Sequence, residues 1–445
     1  MTKDLTQGKI TPLLVKFTIP LLFGNIFQLM YNSVDSIIVG QLVGKEALAA
    51  VGTSNPLMTL AILFVNGMCI GASILMGTQY GAKKMDVLKR QISTTMIAGI
   101  VFSITVTLFC ILFARPLLLL IRVQEEVLPL AVPYLRIVFL GFIFTFIYNF
   151  FACTLRALGD SKTPLYFLVT SAFLNIFGDL FFVVVLRWGV AGSAIATVCS
   201  EGLCCLLCGI YIKKKIPLLC LGKKWWVFDK SLLGKTVSYG STSAMQQVCL
   251  QLGKLIIQSV VNTQGVAVMA AFTAVNRVDD FAYTPQQNIG HAMTTFLAQN
   301  KGAGHKERMK KGFQTGLLIE LVYSIGLFCV IWGLAPQIMT LFAEDGDAQV
   351  VSLGISYLHL ISWMYILPGL TNGVQGFFRG IGDLKVTLYS TFMNMFGRVV
   401  AVFVMIRLLQ MEFASLAWAN MVGWIVMLLF EVPLLVKSMR NGECG

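Results

Sequence analysis

The chain has 445 residues, of which 57% are apolar and 12% charged, and its 34 Lys and Arg against 21 Asp and Glu leave a formal net charge of +13. A soluble domain carries about 25% charged residues. So charge-poor a chain excludes an ordinary water-soluble enzyme, a disordered protein and a small disulfide scaffold, and leaves a membrane protein with many spans.

The polar stretch Met1–Lys9 comes first. The apolar run behind it is too long and too interrupted for a cleaved signal peptide, so the first span is expected to be its own insertion signal. Twelve apolar segments then follow, at 12–40, 47–77, 91–114, 127–155, 163–186, 190–212, 233–262, 266–298, 313–334, 350–378, 385–409 and 413–436. A span needs about 20 such residues. The alternation of a membrane strand is absent, and backbone groups in lipid must be satisfied within their own segment, so each is expected to be a helix. The longest connection, Lys213–Lys235, is basic, with Lys223, Lys224, Trp225 and Trp226 placed as an interfacial anchor. The expected organisation is an N-terminal lobe at 1–212, a cytoplasmic linker at 213–235 and a C-terminal lobe at 236–445.

Basic residues are distributed unevenly between the loops. One alternate set, with both termini, holds 25 of the 34, the other set holds 5, and the remainder (Arg136, Lys254, Arg277 and Arg398) fall within spans. Both termini are therefore expected in the cytoplasm of a plasma-membrane protein. Charges in short loops, with no basic face interleaved with aromatics, argue against a nucleic-acid partner. Most of the cysteines lie inside apolar runs, Cys205 and Cys208 included, where they read as packing residues. The three histidines lack metal-ligand spacing. No G-x-x-x-x-G-K-[ST] loop occurs, so ATP is not expected to drive the protein. No cofactor and no enzymatic constellation is expected, and a monomer is the expected state.

The halves repeat. Arg156-Ala-Leu-Gly-Asp160 matches Arg379-Gly-Ile-Gly-Asp383 at an offset of 223, and Phe173-Leu-Asn-Ile-Phe-Gly-Asp179 matches Phe392-Met-Asn-Met-Phe-Gly-Arg398 at 219. Six spans per half predict an all-α membrane protein of twelve transmembrane helices, in two six-helix bundles related by a pseudo-twofold axis along the membrane normal. Such bundles with a cleft between them suit alternating access better than a channel.

An ionised group at mid-bilayer costs about 2.5–3.5 kcal/mol on insertion scales and so needs a reason. The first span places Asn25, Gln28, Asn32 and Asp35 along one face, with Tyr31 one turn before Asp35. This stripe reads as the wall of a hydrated cavity, or else as a polar helix–helix contact. In the fifth span Asn175 and Asp179 stand at i and i+4. Asp35, Asn175 and Asp179 could converge into an oxygen-rich site for a proton or Na⁺. At the offset of 219 Asp35 corresponds to Lys254 and Asp179 to Arg398, so the coupling cation is expected in the N-terminal half. The eighth span adds Arg277, Asp279 and Asp280, with an Arg277–Asp280 pair expected at i, i+3. This group reads equally as a structural network or as a substrate-facing surface. Pro20 permits a bend in the first helix. Glu201 and Glu320 have no assigned role.

Tyr31-Asn-Ser-Val-Asp-Ser-Ile-Ile-Val-Gly40, Gly44-Lys-Glu-Ala-Leu-Ala-Ala-Val-Gly52, Arg156-Ala-Leu-Gly-Asp160, Asn175-x-x-x-Asp179 and Gly189-Val-Ala-Gly-Ser-Ala-Ile-Ala-Thr197 together resemble the multidrug and toxic compound extrusion (MATE) family. The resemblance extends over nearly the whole chain and is to the DinF-like branch, within the wider MOP flippase superfamily. It implies an antiporter that exports small amphipathic organic compounds in exchange for H⁺, with Na⁺ the less favoured ion. It also implies a cation site at Asp35, Asn175 and Asp179, supported by Tyr31, Asn32 and Gln28, and gating at Pro20. The chain departs from many relatives at Leu180, where they have proline, which puts the local helix geometry in question. A lipid-linked oligosaccharide flippase of the same superfamily is the alternative, with the basic C-terminal lobe receiving a pyrophosphate. Twelve spans and acids in the N-terminal lobe weigh against it.

Overall fold

A computed structural model describes residues 4–216, 226–342, 348–409, 413 and 415–440. Lys223, Lys224 and Trp225, and the acidic loop at 343–347, lie outside them. The described residues are helical and contain no strand. In chain order the helices are α1 (Ile10–Leu42), α2 (Lys45–Gly81), α3 (Met85–Leu112), the short α4 (Ala114–Leu120), α5 (Leu128–Ala157), α6 (Lys162–Asp179), α7 (Gly189–Lys215), α8 (Lys230–Val261), α9 (Val266–Gly302), α10 (Lys306–Phe342), α11 (Ala348–Ser362), α12 (Ile366–Ile381), α13 (Leu384–Val402) and α14 (Ser415–Arg440). A 3₁₀ turn, Trp363–Tyr365, joins α11 to α12 into one span, and π-helical segments extend α6 through Leu180–Val185 and α13 through Phe403–Leu408. Among the described residues these make twelve spans, ten of them long and apolar enough to cross a membrane. The other two, α8 and α9, carry Lys254, Arg277, Asp279 and Asp280.

The chain divides into two compact units: unit 1 comprises Met1–Asp4 and Ile19–Ala244, and unit 2 comprises Leu5–Thr18 and Met245–Gly445. The boundaries fall inside helices rather than at the basic connection. α1 passes from one unit to the other between Thr18 and Ile19, directly before Pro20, and α8 does so after Ala244. Local hydrogen bonds explain both assignments. The entry to α8 and its first turns are tied to the start of α3: Val227 N donates to Ser93 Oγ (3.0 Å), Asp229 N to Thr94 Oγ1 (3.1 Å), and Gln91 Nε2 to Thr236 Oγ1 (2.5 Å). The segment before α1 is held by unit 2. Leu5 N donates to Gln299 Oε1 (3.0 Å), and Arg308 donates to the carbonyls of Gly8 (2.7 Å) and Gln7 (3.1 Å).

Lipid tails are as apolar as Leu, so packing rather than water exclusion joins membrane helices, and small residues permit close approach. In unit 1 Gly67 and Gly71 of α2 oppose Ala244 and Gly240 of α8. A Cβ on Gly71 would stand 2.5 Å from Gly240 N. Phe139, Phe142, Phe146 and Phe150, spaced by three and four on α5, belong to the same core as Val65, Cys69, Ala72 and Met76 of α2. In unit 2 α9 and α12 meet backbone to backbone, and a Cβ on Gly376 would stand 2.7 Å from Gly290 O. The repeated R-x-x-G-D motif is a turn. Gly159 and Gly382 take φ of 82° and 84°, a left-handed conformation that glycine adopts without a Cβ penalty. Asp160 Oδ1 then accepts from Lys162 N (3.1 Å) and Thr163 N (3.0 Å) at the start of α6.

Candidate functional site: buried acids in each unit

α6 places Asn175 and Asp179 one turn apart, at 1% and 0% exposure. With the amide oriented to suit its neighbours, Asn175 Nδ2 donates to Asp179 Oδ2 (3.0 Å), while Oδ1 accepts from Thr197 Oγ1 (3.1 Å) and Thr197 N (3.3 Å) of α7. Gly178 gives α7 room to approach, since a Cβ there would lie 3.1 Å from Ala196 Cβ. The helix does not stop at Leu180. It widens into a π turn in which Leu186 N donates to Phe181 O, five residues back, at 3.0 Å. The acid thus sits at the last residue of α-helical geometry, the kind of junction that often marks functional sites.

The α1 partners are placed less completely. Asp35 and Asn32 lie on α1, but their side chains fall outside the described residues. Tyr31 is half-buried, Asn25 and Gln28 are exposed, and Pro20 is buried within a helix that continues through it. Asn175 and Asp179 are therefore brought together, whereas the convergence of Asp35 on them is an expectation carried by the sequence.

Unit 2 separates its two adjacent acids. Asp279 is buried and accepts from Tyr365 Oη (2.6 Å) and Tyr357 Oη (3.0 Å), and Asn420 Nδ2 donates to Tyr357 Oη (2.9 Å). Tyr283 makes edge contacts with Tyr365 and Trp424. Asp280, 100° further round α9, points away and pairs with Lys254 of α8 at 3.4 Å. The expected Arg277–Asp280 pair is corrected accordingly: the cation comes from the neighbouring helix, and Arg277 is exposed. Arg398, half-buried on α13, is within electrostatic reach of Asp279. Its register also differs from the motif match. α6 and α13 start 222 residues apart and their π segments 223 apart, which sets Arg398 level with Asn175 rather than with Asp179.

Further buried polar groups carry weaker sequence signals. Gln246 Nε2 donates to Gln375 Oε1 (3.1 Å) and Thr391 Oγ1 (2.9 Å), and Arg379 donates to the same Gln375 oxygen (2.7 Å). Glu431 of α14 is buried beside Ser390, Gln375 and Arg379. Glu201 accepts from Thr145 Oγ1 at 2.6 Å. Glu320 of α10 is buried with neither oxygen hydrogen-bonded. The signal for Glu320 is a single acid in an otherwise uncharged span. Glu431 lies close enough to the basic end of α14 to pass for an interfacial residue.

Two units of membrane-length helices with buried acids and amides in both, on an internally repeated chain, define a polytopic membrane protein of the transporter class. The MatE family model matches residues 20–181 and again 243–404, two copies displaced by the same 223 residues as the π segments. The chain belongs to the MatE family, a family of multi-pass membrane transporters rather than enzymes. It is 31% identical over 388 residues, 86% of each chain, to the probable multidrug resistance protein YpnP of Bacillus subtilis, and 30% identical over 389 residues to YoeA of the same organism, covering 85% of this chain and 82% of that one. A solved structure described as MATE in complex with MaL6 superposes with a TM-score of 0.91 at 23% identity, covering 100% of this chain and 99% of the other.

Proposed function

We propose that the protein is a secondary antiporter that exports small amphipathic organic compounds, with Asp35, Asn175 and Asp179 of unit 1 as its coupling-cation site. The observation that carries this reading is the buried Asn175–Asp179 pair at the α-to-π junction of an otherwise apolar span. A carboxylate withdrawn from water is retained where protonation or ion binding has a use. The names of YpnP and YoeA as probable multidrug resistance proteins support the substrate class.

A proton suits the site better than Na⁺. Hard cations require several oxygens, yet Asn175 turns its nitrogen toward Asp179 and spends its oxygen on Thr197. Coupling requires that proton and substrate favour different conformations. Pro20, beside the place where α1 changes units, is the point at which this reading puts the gate. The loop charge bias places both termini in the cytoplasm and the loading face for substrate on the same side.

Efflux from proteoliposomes under separately imposed H⁺ and Na⁺ gradients tests the reading. The expected result is efflux driven by the proton gradient alone, and its loss in Asp35→Asn and Asp179→Asn. Full gradient-driven efflux in both variants overturns the site, and efflux driven only by Na⁺ overturns the ion.

A further inference from the structure

We propose that Glu320 is a second, exchangeable proton-binding site, lying in unit 2 and independent of the acids of unit 1. Glu320 stands in the middle of α10 and is 1% exposed. It is the one charged residue in the apolar stretch 313–334. Neither carboxyl oxygen has a hydrogen-bonding partner. Among the described residues no Lys, Arg or His pairs with it. Asp279, by contrast, has two tyrosine donors, and Asp280 has a lysine.

The surroundings of Glu320 are polar but small. On α9, Gln286 is fully buried; its Nε2 donates to Tyr365 O (2.8 Å) and Ser324 Oγ (3.1 Å), and its Oε1 is unpartnered. Ser324, one turn beyond Glu320, donates to the Glu320 backbone carbonyl (2.7 Å). On α12 the facing residue is Gly369. A Cβ there would lie 2.9 Å from Ser324 Oγ, 3.2 Å from Gln286 Nε2 and 3.5 Å from Glu320 Oε2. The glycine therefore leaves a point ringed by three polar side-chain atoms from two helices, too tight even for a methyl group.

These dimensions select the ligand. An organic substrate does not fit. A metal ion would face an amide N–H and only a few oxygens, against the six or so that hard cations gather. A proton needs only a carboxyl oxygen, and it removes the charge that nothing nearby balances. Gln286 Oε1 is an acceptor without a donor, and Glu320 without its proton has no donor to offer.

The other titratable or charged groups on the elements packed against α10 are engaged or lie elsewhere. On α10, Tyr323 donates to Ala282 O (3.2 Å). On α9, Asp279 is held by the tyrosines, Tyr283 stands edge-on to Tyr365 and Trp424 with its hydroxyl unpartnered, Arg277 and Asp280 are exposed, Lys301 donates to Ile381 O, and His291 lies five residues beyond Gln286. On α11, His359 lies against Trp332, with ring centroids 4.6 Å apart, and Tyr357 binds Asp279, as does Tyr365 of the 3₁₀ turn. On α12, Arg379 binds Gln375. A proton on Glu320 therefore lets α9, α10 and α12 pack without water, and its loss leaves a bare carboxylate among them, so the proton state of this acid sets how tightly the three helices close.

The test uses the full chain in lipid nanodiscs. Infrared difference spectra across a pH titration are expected to show the carbonyl band of a protonated carboxyl that disappears as pH rises. Glu320→Gln is expected to lose one component of this band, a component that Asp179→Asn retains. A Glu320→Gln spectrum identical to wild type overturns the proposal, whatever the outcome for Asp179, so its failure is distinguishable from failure of the unit 1 site. A second measurement needs no variant. Dicyclohexylcarbodiimide attacks protonated carboxyls in apolar surroundings, and mass spectrometry of the wild-type peptide is expected to show Glu320 modified at low pH and progressively less at high pH. Modification that is absent, or indifferent to pH, contradicts an exchangeable proton.

Discussion

The two units share a helix plan and use it to hold acids in different ways. Unit 1 puts Asp179 where α6 gives way to a π turn, with Asn175 Nδ2 donating to its Oδ2. Unit 2 repeats the π turn at the same offset, where Leu409 N donates to Val404 O at 3.0 Å, but the preceding helix bears Arg398 rather than an acid. Its fully hydrogen-bonded acid, Asp279, comes from α9 and is gripped by two tyrosines. Two tyrosine donors stabilise Asp279 as a structural element, whereas Asp179 sits where the helix geometry changes from α to π. Duplication has thus preserved the scaffold while moving the chemistry from one helix to another.

Substitutions can break that contrast. The largest effect on stability is expected from Asp279→Leu, which leaves two buried tyrosine hydroxyls without an acceptor. The cost is about 3 kcal/mol, read as a lower thermal unfolding midpoint in detergent. Asp179→Asn, which retains a polar partner for Asn175, is expected to cost about 1 kcal/mol or less. Equal losses in the two variants would erase the distinction between a structural and a titrating acid.

The R-x-x-G-D turns sharpen the comparison on a smaller scale. Asp160→Ala is expected to cost about 1 kcal/mol, the usual worth of an N-cap. Asp383→Ala, at the repeated position, is expected to cost only a few tenths, because Asp383 is exposed and makes no capping hydrogen bond. A comparably small effect is expected at Lys254→Ala. The Lys254–Asp280 pair has side chains 57% and 55% exposed, and such pairs contribute at most about 1 kcal/mol. A loss of several kcal/mol there would mean that the pair is buried by lipid rather than bathed by water.

Much of this fold is legible from residue order, because backbone satisfaction in lipid leaves helices as the only economical element and the spans announce themselves by length. Asn175 and Asp179 are legible for a similar reason, since i and i+4 positions meet on a helix whatever surrounds it. What escapes is whatever depends on a second helix. Asp280 has an arginine three residues before it, yet takes Lys254 from α8. The motif match at 219 sets Arg398 against Asp179, but the turns, helix starts and π segments all run at 222–223, so the motif simply falls one turn earlier along α13 than along α6. The environment of Glu320 was hidden for the same reason: its neighbours Gln286 and Gly369 lie on other helices, 34 and 49 residues away in sequence. The unit boundaries within α1 and α8 follow from tertiary hydrogen bonds at Ser93, Thr94 and Arg308 that no hydropathy pattern encodes.

The central claim is that a buried acid of unit 1 ties an ion gradient to export, and the most direct test separates coupling from passage. Wild type and Asp179→Asn, reconstituted side by side, are measured for substrate movement driven by an imposed proton gradient and for substrate exchange in the absence of any gradient. The account predicts that Asp179→Asn loses gradient-driven movement and keeps exchange. Gradient-driven movement at the wild-type rate in Asp179→Asn would contradict it.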